Sequence, residues 1–284
     1  MSEQPQYARV FLTFARNSLV RDMTFRANFL LESFASLTWI IANLGFYILI
    51  FTHTNSIGRD SGWGQYEFFV FLATTMFVNS LVQTFFMPNA YEFSELIRTG
   101  GLDFALLKPI DTQFLISLRR VNWSSLTNFA AGVVLLAFSL WQLTSRGPHP
   151  LVIPLGAFVL YPLYVLCGVA ILYSLMIALS ATSIWLGRNQ SLYDFWFYIT
   201  NFSRYPMEIY SGKWGFPLQW FFTFIVPVLI VVNVPARLLA QPMRPDTSLG
   251  WSLACFAVFA TVGSLFVSRW IFKRALLSYR SASS

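Results

Sequence analysis

The side chains that could do chemistry are few in this chain and poorly grouped. His53 and His149 lie in separate polar turns, with no second metal ligand at a useful spacing beside either. Cys167 and Cys255 stand alone inside apolar runs, where small buried apolar residues are expected. The Gly212-Lys213 pair is followed by Trp214, and Met207 stands where a phosphate-binding loop needs its leading glycine. There is no HExxH zinc pattern and no GxSxG nucleophile turn. The chain is therefore not expected to catalyse a reaction or hydrolyse ATP by itself. What remains can bind rather than react. Asn79 and Gln83 are four residues apart, as are Trp39 and Asn43, so each pair shares a helix face. Amides inside apolar runs either glue helices together or line a substrate path, and both readings stay open. Glu32 lies just inside the first run; it either reaches water or pairs with Arg26 or a neighbouring subunit.

The elements that carry these residues are apolar and long. Only 11% of the 284 residues are charged and 56% are hydrophobic, where a soluble domain has about 25% charged. Apolar runs cover roughly 26–52, 66–91, 121–143, 151–186, 214–235 and 249–272. Each can cross a bilayer core as a helix, which takes about 20 residues. An all-α integral membrane protein with six transmembrane helices follows, forming one domain over 1–284. The fourth run exceeds what a crossing needs; Pro154 and Pro162 should kink it, and Gly168 permits close packing. With both termini on one side, fifteen Lys and Arg residues fall on that side. The other side holds four: Arg59, Arg146, Arg237 and Arg244. The positive-inside pattern places the termini in the cytoplasm. The net charge of +7 is spread over turns, where anionic lipid accounts for it and nucleic acid is not implied. The first 25 residues lack a cleavable apolar core, so the first span is expected to insert the chain. Residues 5–25 instead pattern as an amphipathic interfacial helix, with Tyr7, Phe11, Phe14, Leu12, Leu19 and Met23 on its apolar surface.

The cytoplasmic loop 92–120 is the richest stretch. Glu92 and Glu95 precede Arg98, Gly100-Gly101 breaks the helix, and Leu102 restarts it. Asp103 can cap or charge the first turn, Phe104, Leu106 and Leu107 provide an apolar side, and Pro109 ends the helix. A short helix between two breakers, with more apolar surface than a turn needs, reads as a docking element. The stretch 187–246 admits two arrangements. Hydropathy alone makes 214–235 the fifth span; the alternative makes 189–205 a short fifth span and 206–246 a broken, re-entrant outer cap. Charge does not choose, because moving Arg204 and Lys213 outside still leaves thirteen against six.

The segments ELIRTGGLDFALLKPID (95–111), SRYPMEIY (203–210), FIVPVLIVVNVPARLL (224–239) and RALLSYRSASS (274–284) resemble the type-2 ABC exporter permeases, in particular bacterial six-span permeases driven by a separate ATP-binding subunit. The resemblance runs through nearly the whole chain. It implies that the loop between spans two and three is a coupling helix seated on the ATPase, with Glu95, Arg98, Gly100, Gly101, Asp103 and Pro109 at the contact. It implies an outer gate near Arg204, Tyr205, Pro206 and Glu208, within 206–246; the prolines there favour the re-entrant arrangement. It implies a dimer, with itself or with a related permease, in the bacterial cytoplasmic membrane. No cofactor is expected on this chain, with ATP and Mg on the partner ATPase subunit. Trp39, Asn43, Asn79 and Gln83 are the candidate pathway residues, and the Phe-rich composition suits an apolar or amphipathic substrate. A stand-alone channel or secondary transporter would show repeat symmetry between the halves. A membrane-embedded enzyme or assembly subunit would need an acid, base or metal cluster if catalytic. Neither feature is evident.

Overall fold

Lipid offers the backbone no hydrogen-bond partners, so apolar runs of this length fold as helices. A computed structural model describes residues 6–58, 62–145, 151–186, 191–241 and 248–279, and among these the regular elements are all helical. Arg59, Arg146, His149, Arg188, Arg244 and Arg280 lie outside the described residues. The α-helices are α1 (Tyr7–Thr24), α2 (Arg26–His53), α3 (Gln65–Phe85), α4 (Met87–Arg98), α5 (Gly101–Leu106), α6 (Thr112–Leu118), α7 (Leu126–Ser145), α8 (Leu155–Leu186), α9 (Ser191–Asn201), α10 (Phe216–Trp220), α11 (Ile230–Ala240) and α12 (Ser248–Ser278). Five helical stretches are long and apolar enough to cross a membrane: α2, α3 continued by α4, α7 with its leading 3-10 turn, α8, and 250–278 of α12. The bent pair α10–α11 can be counted as a sixth.

The centre of the bundle is α8, packed against α12 and α11, while α3 packs on α7 and α11. Phe68, Phe71, Leu172, Leu229, Ile230 and Leu239 are fully enclosed there. A Cβ on Gly168 would lie 2.6 Å from the carbonyl oxygen of Val231, so the glycine is what lets α8 meet the backbone of α11. The helix α8 runs through Pro162 without interruption. The helix α2 is different: none of its residues is buried, and it touches mainly α7, α1 and the turn at Trp123–Ser125. A groove therefore opens between α2 and α3. Cys255 is exposed on α12 and Cys167 half-buried, which corrects the expectation that both are buried.

The stretch 214–235 is not one straight span. The pair Phe216–Ile225 and Ile230–Ala240 meet at 95°. Val226 precedes Pro227, whose ring disfavours the helical conformation at the residue before it, and Val226 lies outside the helical region at φ −114°, ψ 88°. The bend at 225–228 lies beside Ile171–Ala178 of α8 and Ser264–Ser268 of α12, near the middle of both helices. Its two limbs return to the same end. Gly215 abuts Tyr210 before α10, and Gln241 after α11 abuts Gly62 in the turn between α2 and α3. The traverse is made instead by α9 and the residues after it. The Trp196 indole donates to the Leu172 carbonyl at mid-bundle (3.4 Å), and by Glu208 the chain has reached Trp63 in that same turn.

Basic residues Arg98, Lys108, Arg119 and Arg120 mark the opposite end. Here Phe93, Leu102, Ala105, Leu115 and Ile116 of α4, α5 and α6 form a second core with Ile177 and Ala181 of α8 and Phe272 and Ala275 of α12. Along this end lies α1. Ser18 Oγ accepts from the Val121 N–H at 3.1 Å, and the Trp123 indole donates to the Ala15 carbonyl at 3.2 Å. Leu12, Leu19 and Val20 of α1 stay exposed.

Candidate functional site

Two separate groups of residues emerge. The first lines a cavity of about 460 Å³ in the groove between α2 and α3, closed at one end by the segment after α9. Trp39, Asn43, Asn79, Gln83, Arg204 and Tyr205 all line it. Four were expected on a pathway and two at an outer gate; the fold brings both sets to one wall. Ser36, Tyr47, Thr75, Ser80 and Asn128, which sequence reasoning did not single out, add to the polar lining. Along α3 the wall runs from Leu72 to Gln83, about 17 Å at 1.5 Å per residue. The Asn43 amide donates to the Trp39 carbonyl one turn earlier at 2.9 Å. Glu32 is outside this cavity. It accepts from Asn28 at 2.8 Å and from Ser124 Oγ at 2.7 Å, while Arg26 bonds the Met23 carbonyl, so the Arg26 pairing, one of the readings left open, is not formed.

Pro206 and Glu208 lie beyond the cavity, at the end where the bent pair begins and finishes. Pro206 is buried and opens a short 3-10 turn. Glu208 accepts from the Trp63 indole at 2.9 Å and pairs with Arg237 of α11, whose guanidinium lies 6.0 Å from the centre of the Trp63 ring. The Asn233 side chain adds a second tie, accepting from the Met207 N–H at 2.9 Å and donating to the Leu229 carbonyl. The turn at Trp63, residues 207–208 and α11 are thereby held as one unit.

The second group lies at the basic end. Glu95 and Arg98 form a two-pronged ion pair on the surface, each about half exposed. Gly100 holds φ +72°, a left-handed conformation that an L side chain rarely adopts, so the glycine makes the break after α4. A Cβ on Gly101 would meet the Leu96 side chain at 2.9 Å. Asp103 sits in the first turn of α5 without capping it, so it charges the helix start rather than closing it. Tyr279, just past α12, stands against it; burial, and then the Asp103 carboxylate, push the Tyr279 hydroxyl above its ordinary pKa. Leu102 and Ala105 turn into the second core, while Phe104 (74% exposed) and Leu107 (81%) turn out. The helix ends at Leu106, and Pro109 lies in the turn that follows.

Sequence reasoning missed what ties this end to the spans. Asp111 caps α6 by accepting from the Phe114 N–H at 2.9 Å, and it pairs in two prongs with Arg269 of α12. Arg269 also donates to Gln113 at 2.8 Å, and the Gln113 amide donates to the Tyr173 hydroxyl of α8 at 3.0 Å. The hydrogen bonds from Arg269 hold the Asp111 carboxyl below the usual carboxylate range. The signal was an arginine inside an otherwise apolar run. Glu92 similarly binds Arg119 and Arg120 at 3.3 and 2.9 Å.

Among the described residues no group of His, Cys, Asp and Glu could hold a metal ion. Comparison with known proteins found no matching curated protein and no matching solved structure. One family does match, described as ABC-2 family transporter protein, over residues 37–283. That span contains the cavity lining except Ala35 and Ser36, together with α4–α6 and the bent pair. The chain belongs to the ABC-2 transporter family, as a multi-pass permease of an ABC transporter.

Proposed function

We propose that this chain forms the translocation pathway of an ABC exporter and is driven by a separate ATP-binding subunit that docks on α5. The observation that carries this is the divided surface of α5. Leu102 is enclosed by the core shared with α8 and α12, while Phe104 and Leu107 point away from the protein. A helix rooted in this way passes a push on its outer face to the two longest helices, α8 and α12. The asymmetry of charge supports α1 and α4–α6 on the cytoplasmic side, with α1 in the interface and the bent pair serving as the outer gate. The uncovered α2 supports pairing with a second permease, of the same or a related kind. ATP and Mg belong on the partner subunit. The apolar stretches of the cavity wall suit an apolar or amphipathic substrate.

The test is Phe104→Asp with Leu107→Asp. Both side chains are already exposed, so folding should be unaffected, and a MgATPase that co-purifies with the wild-type chain should be lost. Retention of the ATPase by the double variant, or its absence from the wild type, overturns the reading.

A further inference from the structure

Arg204 is the one charged side chain among the described residues that line the cavity. Its guanidinium lies over the Phe197 ring, 5.3 Å from the centre, and no described carboxylate forms an ion pair with it. In that it differs from Arg237 and Arg269, which have carboxylate partners. The Arg204 side chain is exposed to the groove rather than enclosed, so its guanidinium is open to a ligand that enters there. Among the described residues the wall provides no counter-charge: its polar groups are neutral amides and hydroxyls. The buried Oδ1 of Asn128, also on the wall, has no hydrogen-bond partner among the described residues. Between these polar groups lie Trp39, Ile40, Leu72 and Met76. The volume of about 460 Å³ falls within the range of roughly 300–1,000 Å³ for sites that enclose small organic ligands.

We propose that this cavity binds an anionic amphiphile, with a carboxylate or phosphate paired to Arg204 beside Tyr47 and Tyr205 and an apolar body along Trp39, Leu72 and Met76. The proposal rests on the permease reading and adds the substrate class. A guanidinium meets either anion with two parallel hydrogen bonds, so the shared chemistry is a planar or tetrahedral oxyanion on an apolar body. A neutral amphiphile of the same shape leaves Arg204 without its counter-charge.

The probes are 11-(dansylamino)undecanoic acid and its methyl ester, titrated by fluorescence into the full-length protein in phosphatidylcholine nanodiscs. The acid should bind at least on the order of tenfold tighter than the ester; tenfold is about 1.4 kcal/mol, near the low end for a hydrogen bond to a charged group. Arg204→Gln should abolish that preference and Arg204→Lys should keep part of it. Equal affinity of the wild type for acid and ester overturns the proposal without any variant having to fold. So does a preference that survives in Arg204→Gln. Adding phosphatidylglycerol to the nanodiscs separates the sources of the anion. Competition with the acid that depends on Arg204 marks a membrane lipid as the occupant; no competition marks an acidic amphiphile taken from outside the bilayer lipids. Binding here does not require an ATPase, so the proposal can fail while the permease reading stands, and the loss of ATPase docking would leave this result untouched.

Discussion

Asp111→Asn should break the communication between the basic end and the spans while leaving the fold intact. Asparagine caps a helix about as well as aspartate, so the bond from the Phe114 N–H can persist. What is lost is the charge opposite Arg269. The two side chains are 33% and 39% exposed, so solvent screens the pair and its removal should cost below about 1 kcal/mol. That is small against a folding stability of about 5–15 kcal/mol. As a coupling term the same ~1 kcal/mol is about fivefold. The assay uses Asn79→Cys, with Cys167 and Cys255 replaced by serine, in the permease–ATPase complex. ATP should change the rate at which the introduced cavity thiol reacts with a thiol reagent. Asp111→Asn should reduce that ATP-dependent change about fivefold, and exchanging the charges with Asp111→Arg and Arg269→Asp should restore part of it. The pH dependence has a definite sign. The Asp111 carboxyl is held below its unfolded value, so the stabilisation is fully present above about pH 4 and is lost as pH falls through the lowered value. The ATP effect should therefore not vary through this pair between about pH 5 and 8. A cavity thiol that stays equally ATP-sensitive when Asp111→Asn is added refutes the role given to this link.

Three further outcomes follow from the packing. Glu208→Gln leaves the enclosed Arg237 without a counter-charge and should destabilise the protein by about 3 kcal/mol or more; Glu208→Gln with Arg237→Gln should recover much of it, read by thermal unfolding in detergent. Gly168→Ala drives a methyl against the Val231 carbonyl and should cost about 1–3 kcal/mol in the same measurement, whereas Gly263→Ala, with open space around it, should cost nothing measurable. Lys213→Cys in a background lacking Cys167 and Cys255 should react with a membrane-impermeant thiol reagent outside intact cells; labelling only after permeabilisation contradicts the outer placement of 206–246.

The long spans are legible in the sequence because a bilayer imposes one length and one composition on any helix that crosses it. The broken α10–α11 pair is legible only as an alternative. It is as apolar as a span, and the information lies in Pro227 and in where the limbs pack. The cavity residues are partly legible. Asn79 with Gln83 and Trp39 with Asn43 are polar pairs at helical spacing, but nothing in the sequence says that α2 meets α3 through Tyr47 and Phe51 and leaves a groove along Trp39 and Asn43, which is a property of packing. Arg204 reads in the sequence as a loop charge or a gate residue. Only the path of α9 along α8 brings it to the wall beside Tyr47. Asp111 and Arg269 are 158 residues apart, and neither lies in a pattern that local reasoning can pair.

The central claim is that a separate ATP-binding subunit works through the outer face of α5. Phe104 replaced by photoreactive benzoylphenylalanine tests it directly in intact membranes, with Val134, 70% exposed on α7, replaced in the same way as a control. The account predicts that position 104 cross-links to a second chain that an azido-ATP probe labels in the presence of Mg, and that position 134 does not. Cross-linking at 104 only to lipid, or to a chain that the nucleotide probe never labels, would contradict it.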